Sequence, residues 1–170
     1  MKKIMVVGVS AGAGKSTFAR RLGKTLDLPV IHLDTLYWKP GWIEAAPQAF
    51  AAAVQAAADQ PEWIIEGNYS STFAIRLARA DAVIYLERPL ALCLYRVLKR
   101  WYTNKGKTRP DMGAGCEERM EWAFLKFIVT TYRRRKRTMR RLLEEQKNDK
   151  IVVRLTSENA IEQFLLQAKK

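Results

Sequence analysis

The sequence predicts an α/β fold: a parallel sheet with helices on both faces. Three observations carry that reading. Five short β-type runs, at residues 4–9, 30–33, 62–66, 81–87 and 151–155, are apolar almost throughout rather than alternating, as strands buried on both faces are. Stretches with helical periodicity separate them, which implies crossover connections and a parallel sheet. The first run leads through a glycine-rich turn straight into a helix, the opening of a βαβ unit.

The elements follow in order. After the first strand, residues 10–14 form a small-residue loop, and the helix of residues 18–26 puts Phe18, Ala19, Leu22 and Leu26 on one side. Asp27 and Pro29 mark the turn into a short second strand that ends at Asp34. Residues 35–47 read as a loop turning at Pro40-Gly41. Pro47 suits the first position of a helix, and the alanine-rich run to Asp59 continues it with Phe50, Val54 and Ala57 as an apolar stripe. The third strand ends in the turn of residues 67–69, with a short helix at 71–78. The fourth strand leads through Pro89 into a helix reaching Tyr102. Residues 103–116, with glycines, a proline and several charges, read as a mobile loop. Residues 117–146 read as one helix of roughly 45 Å at about 1.5 Å per residue, with a kink expected at Thr130-Thr131. Ser157 suits the cap of a last helix carrying Ile161, Phe164, Leu165 and Ala168 on one face.

The 170 residues, 48% hydrophobic and 28% charged, suit a single domain spanning 1–170 with a good core. Cys93 and Cys116 have no zinc or disulfide spacing, so a cytoplasmic setting is expected. No run of about 18 apolar residues is present, and the apolar run after Met1 is too short for a signal peptide. The net charge of +13 is concentrated: residues 88–147 hold 17 Lys and Arg against 6 Asp and Glu. That segment, not the chain as a whole, is the basic module.

The segment 3–20 carries the first chemistry. Strand, glycine-rich turn and helix N-terminus form a phosphate-binding loop. Glycines let several backbone N–H groups converge on one anion, and the helix N-terminus adds unpaired donors and partial positive charge. Backbone groups from Gly12, Ala13, Gly14, Lys15, Ser16 and Thr17 are therefore expected to hold the phosphates of ATP. Lys15 adds a point charge for the outer ones, and Ser16 a hydroxyl for Mg²⁺. The pattern G-x-x-x-x-G-K-[ST] has Val9 at its first position, with Gly8 one residue early.

Beyond that loop, the motifs GAGKST, IHLDTLYWKPGW, WIIEGNY, DAVIYLERP, LYRVLKR and TRPDM span almost the whole chain. Together they resemble the small P-loop kinases related to adenylate and shikimate kinases. The closest resemblance is to the bacterial adenylate-kinase-like "DNA topology modulation" proteins. It implies a three-layer P-loop kinase fold with a five-stranded sheet of order 2-3-1-4-5, an acceptor-binding segment after strand 2, and a helical lid near residues 100–135 between the fourth and fifth helices. The nucleotide-selective G-F-P-R segment of adenylate kinases is here E-G-N-Y.

In similar kinases an acid at the position of Asp34 orients the acceptor hydroxyl, takes its proton or holds a Mg²⁺-bound water, so Asp34 is expected to be catalytic and metal-associated. A loose transition state makes positioning matter more than base strength. His32, on the same side of the strand, reads as a buried structural residue. Tyr37, Trp38 and Trp42 either clamp a planar acceptor or form a hydrophobic lid floor. Asn68 and Tyr69 suit hydrogen bonds to an acceptor or a helix-initiating turn, and Glu66 a hydroxyl or a metal-bound water. Glu87 reads either as a second metal-shell acid or as the partner of Arg88. Arg96 and Arg100 share a helix face, Arg109 lies in the lid, and Arg133 groups with Arg137, Arg140 and Arg141 on the long helix, apart from Arg134 and Arg135. Arg109, with Arg96, Arg100 or Arg133, is expected to close on the transferred phosphoryl group. The activity implied is a kinase acting on a small acceptor, a nucleotide or nucleoside. The alternatives are a nucleic-acid-associated NTPase using the basic module and a nucleotide-binding protein without phosphotransfer.

Overall fold

Strands apolar on both faces need cover on both faces, and the chain supplies it. In the computed structural model, which describes residues 1–169, β1 (Lys3–Gly8) lies at the centre of a parallel sheet ordered β2-β5-β1-β6-β7. The other strands are β2 (Val30–His32), β5 (Trp63–Glu66), β6 (Ala82–Leu86) and β7 (Ile151–Leu155). Two inserted strands, β3 (Trp38–Lys39) and β4 (Ile43–Glu44), pair only with each other. The five main strands, counted in chain order without that hairpin, therefore run 2-3-1-4-5 as expected. Ile4 to Val7 and all of β6 are fully buried.

The helices are α1 (Lys15–Leu26), α2 (Leu33–Tyr37), α3 (Pro47–Asp59), α4 (Phe73–Arg79), α5 (Leu90–Asn104), α6 (Trp122–Gln146) and α7 (Glu158–Ala168). The crossover through α1 moves leftward from β1 to β2, whereas those through α3, α4 and α5–α6 move rightward. With right-handed crossovers, opposite directions put helices on opposite faces. Accordingly α1 packs with α7, and α3 with α4. Among the described residues no helix is long and apolar enough to cross a membrane.

Three sequence expectations need correction. Residues 35–47 are not a plain loop: Asp34 lies in the first turn of the short α2, and the β3–β4 hairpin follows. The long helix starts at Trp122, not 117, and is continuous through Thr130-Thr131. Those two hydroxyls donate to the carbonyls of Lys126 and Phe127, a turn back, so the threonines are satisfied without a break. Residues 103–116, expected to be loose, fold down on the hairpin between α5 and α6. Cys116 donates through Sγ to the Lys39 carbonyl (3.2 Å), and Trp42 Nε1 donates to the Glu117 carbonyl (2.9 Å). Gly113 fits because a Cβ there would lie 2.0 Å from the Trp38 carbonyl oxygen. The segment's polar composition hid three buried side chains, Asp111, Met112 and Cys116.

Candidate functional site

The phosphate loop leaves β1 at the carboxyl edge of the sheet. Gly12 (φ +76°) and Gly14 (φ +93°) take left-handed backbone. Helix α1 starts at Lys15, earlier than the sequence suggested, and no side chain caps it, so its first-turn N–H groups are available to an anion. The misplaced first glycine resolves itself. Val9 has no positive φ, is buried, and donates its N–H to the Leu86 carbonyl. Gly8 takes over the close approach: a Cβ there would lie 2.8 Å from Lys15 Cγ. At Gly12 a Cβ would lie 2.2 Å from the Cys93 carbonyl oxygen. Gly12→Ala is therefore expected to lower stability by more than Gly41→Ala. The latter, at φ +79° with open space around it, bears only left-handed strain of about 1–2 kcal/mol. Urea midpoints of the two variants make the comparison.

Parallel register explains the next group. Val6 and His32 both align with Glu66, at the end of β5. Glu66 Oε2 accepts from Ser16 Oγ (3.1 Å) and contacts His32 Nδ1 (2.9 Å), and Oε1 lies 3.9 Å from Lys15 Nζ. His32 is thus a positioner of Glu66, which joins the phosphate loop rather than standing apart as an acceptor contact.

Asp34 faces this group from the first turn of α2. The Tyr69 hydroxyl donates to its Oδ1 at 2.6 Å. Burial pushes the Asp34 carboxyl above the ordinary carboxylate range and Glu66 adds to that, while the Tyr69 hydrogen bond, Lys15 and Arg109 act in the opposite direction. Asn68 departs from its expected role. Its Oδ1 accepts from Gly8 N–H (2.9 Å) and its Nδ2 donates to the Gly8 carbonyl (2.7 Å), so the amide ties β5 to the phosphate loop. Tyr37 packs between Trp38, Phe50 and Tyr69, with ring centroids 4.7–5.0 Å apart. Trp38 stands edge-on to Trp42 at 5.3 Å. Since Trp42 also holds the lid, these rings form the lid's floor while lining the cleft.

Lid and α5 supply the arginines. Arg96 reaches Glu158 (3.1 Å) and the Ala13 carbonyl (3.5 Å). Glu118, 7% exposed, accepts from Arg100 Nε (3.1 Å) and Arg109 Nε (2.7 Å), and Arg109 Nη1 donates to Asp111 (2.8 Å). Arg133 is not brought to the cleft. It is exposed, and Arg135 lines the cleft instead, its guanidinium 5.0 Å from the Phe127 ring centroid. The signal for Arg135 was its helical spacing from Phe124 and Phe127, which also line the cleft. Glu87 lies away from the phosphates and is neither metal-shell acid nor Arg88 partner. Arg140 (2.5 and 2.7 Å) and Lys136 (3.3 Å) bind it, and the Arg140 hydrogen bond pulls its carboxyl below the ordinary range. Arg88 binds Glu158. Sequence reasoning missed Asp111 and Glu118, although TRPDM contained the first.

The phosphate loop, Asp34, Glu66, Asn68, Tyr69, Arg96, Arg100, Arg109 and Arg135 border one open cleft of about 1020 Å³, from the N-terminus of α1 to the hairpin and lid. The donor set near Ser16 is all oxygen: Ser16 Oγ, Glu66, Asp34 and Asp111. Oxygen donors suit a hard divalent cation such as Mg²⁺, but among the described residues no three acids are arranged to hold a metal ion by themselves, so Mg²⁺ here would need phosphate oxygens to complete its ligands. The glycine cradle, with the uncapped helix N-terminus and Lys15, fits a polyphosphate.

No protein-family model matches the chain, and no curated protein sequence matches it. Solved structures do. A shikimate kinase from Acinetobacter baumannii in complex with shikimate has a TM-score of 0.56 at 17% identity, covering 98% of this chain and 90% of its own. A gluconokinase from Sinorhizobium meliloti 1021 has a TM-score of 0.56 at 16% identity, covering 98% and 89%. A putative kinase from Chloroflexus aurantiacus j-10-fl has a TM-score of 0.53 at 15% identity, covering both chains fully. At these identities the likeness shows the fold, that of P-loop kinases.

Proposed function

We propose that the chain is an ATP- and Mg²⁺-dependent phosphotransferase, adenylate-kinase-like in plan, that moves the γ-phosphoryl group to a hydroxyl of a small acceptor, a nucleotide or nucleoside. One observation carries this reading. The phosphate loop and the Asp34–Tyr69 pair face each other across a single cleft, under a lid that brings in Arg109. ATP with Mg²⁺ supplies the transferable phosphoryl group and neutralises its charge. The chain's residues do the rest. Backbone N–H groups from Gly12 to Thr17 and Lys15 hold the phosphates, and Ser16, oriented by Glu66, provides the metal-side hydroxyl. Asp34, steered by Tyr69, positions the acceptor hydroxyl and takes its proton. Arg109, with Arg96 and Arg100, offsets charge developing on the phosphoryl oxygens, and the folded lid excludes water. Both cysteines are free and buried, which fits a cytoplasmic setting.

The expected pH dependence follows from Asp34. Its carboxyl is raised, and the ionised form does the work, so kcat/KM should fall as pH drops through a value above the ordinary carboxylate pKa of about 3.9. Asp34→Asn should flatten that limb as well as lower the rate. A wild-type profile flat down to the ordinary carboxylate range would overturn the assignment of Asp34.

We do not favour the nucleic-acid reading of the basic segment, in which Arg133, Arg134 and Arg137 are exposed but other cations are paired. Lys136 and Arg140 are bound to Glu87, and Arg141 to Glu145. The link with DNA topology modulation rests on sequence resemblance alone.

A further inference from the structure

Glu118 holds two arginines that come from different parts of the chain. Arg100 is on α5 and Arg109 is in the lid. Each donates to the carboxylate through Nε, Arg100 to Oε1 at 3.1 Å and Arg109 to Oε2 at 2.7 Å. A guanidinium bound at Nε keeps terminal N–H groups for another acceptor. Arg109 Nη1 is taken by Asp111 at 2.8 Å. Among the described residues, Arg109 Nη2 and both terminal nitrogens of Arg100 have no protein partner. None of these three is sealed in the interior, and both side chains line the cleft. Glu118 is well fixed for this. Its N–H donates to the Lys107 carbonyl (3.0 Å) and it bridges to Lys105, which pins its backbone where the chain enters the lid. Its side chain is 5% exposed. Burial and the Arg109 charge both act against the Arg100 cation, and Glu118 acts for it. Two guanidiniums side by side in a partly desolvated wall repel each other. A carboxylate between them offsets that repulsion and orients both.

We propose that Glu118 is a positioning residue: it joins Arg100 and Arg109 into one clamp whose free terminal nitrogens take the phosphoryl group in transfer. This rests on the phosphotransferase reading and deepens it. The two arginines act as a unit rather than as independent donors, and the carboxylate that sets their spacing touches neither ATP nor acceptor. Arg96, bound to Glu158 and the Ala13 carbonyl, lies outside the unit.

The test compares the affinities of ATP and ADP, each with Mg²⁺, by calorimetry. Four proteins are needed: the wild type, Glu118→Gln, Arg100→Ala combined with Arg109→Ala, and all three changes together. Glutamine keeps the size of Glu118 but loses its charge and one of its two acceptor oxygens. A clamp on the terminal phosphoryl group favours ATP over ADP. Glu118→Gln is expected to lower that preference about tenfold, the scale of one charge-assisted hydrogen bond. Where both arginines are already absent, the same change should alter it by less than about twofold, because residues that act as a unit are not additive. A residue that served only the fold of the lid would weaken ATP and ADP equally, or would act by the same factor with and without the arginines. Either result would overturn the proposal. Product from ribonucleosides and their 5′-monophosphates is followed in the same preparations. Turnover unchanged in Glu118→Gln would overturn the role of Glu118 and leave the phosphotransferase reading standing. An ATP preference set by Glu118, with no product from any acceptor in the wild type, would leave the clamp standing and overturn the phosphotransferase reading.

Discussion

Lys15→Ala is expected to lower phosphoryl transfer by about 10²–10³-fold, the loss typical when one preorganised donor to developing charge is removed. The fold should be retained. The Lys15 side chain runs over Gly8, and its Nζ lies 3.4 Å from the Ser10 carbonyl and 3.9 Å from Glu66. Those are loose contacts for a half-buried ammonium, and they leave it free to turn toward a phosphate. Removing it still leaves Glu66 with Ser16 and His32 as partners, so no carboxylate is stranded. The measurement is product formation at saturating acceptor, beside a thermal melt of the same preparation. An unchanged melt with retained turnover would overturn the role of Lys15. A collapsed melt would show that the lysine serves the fold instead. Gly8→Ala probes the same point from the other side, because its Cβ would displace the lysine stem.

How far the site could be read in advance depended on whether the signal was local. The phosphate loop was legible because strand, glycines and Lys-Ser-Thr are contiguous, and the sheet order because apolar runs report burial on both faces. Asp34 was legible as an acid at a strand's carboxyl end, where such sheets place their ligands. Asn68 was misread because its partner, the Gly8 main chain, is 60 residues away. Glu66 and His32 meet only through the β2–β5 register, which no single segment reveals. In the lid, Arg100, Arg109 and Glu118 come from three stretches of chain. A count of charges shows a basic excess there but not that acids already bind the arginines that matter. Helix α6 makes the point within one run: helical spacing separates Arg133 from Arg135 but does not say which face meets the cleft, and it is Arg135 that lines the cleft, while Lys136 pairs with Glu87 and Arg133 is exposed.

Arg76→Ala is expected to give a large loss of stability, about 1–3 kcal/mol for each buried carbonyl left without its donor. The reasoning starts from its burial. Arg76 is 0% exposed, and burial pulls its pKa down to about 10 against a smaller upward pull from Glu66, so it remains cationic at pH 7. Its three donors converge on the carbonyls of Gly67 (2.9 Å), Tyr69 (2.7 Å) and Thr72 (3.3 Å). The turn that joins β5 to α4 thus closes around a guanidinium instead of water. Alanine would leave those carbonyls without a donor and open a cavity beside Phe73, whose ring centroid lies 5.7 Å from the guanidinium carbon. Lysine supplies charge but no planar fork to span three acceptors, so Arg76→Lys should recover only part of the loss in urea melts. The same variant reports on chemistry. Arg76 fixes the Tyr69 carbonyl, and the Tyr69 hydroxyl hydrogen-bonds Asp34 and favours its ionised form against burial. Loosening that turn weakens the hydrogen bond that lowers the Asp34 pKa, so the acid limb of kcat/KM should move to higher pH in Arg76→Lys. A limb that stays in place while stability falls would confine Arg76 to the fold and break its connection to the acceptor site.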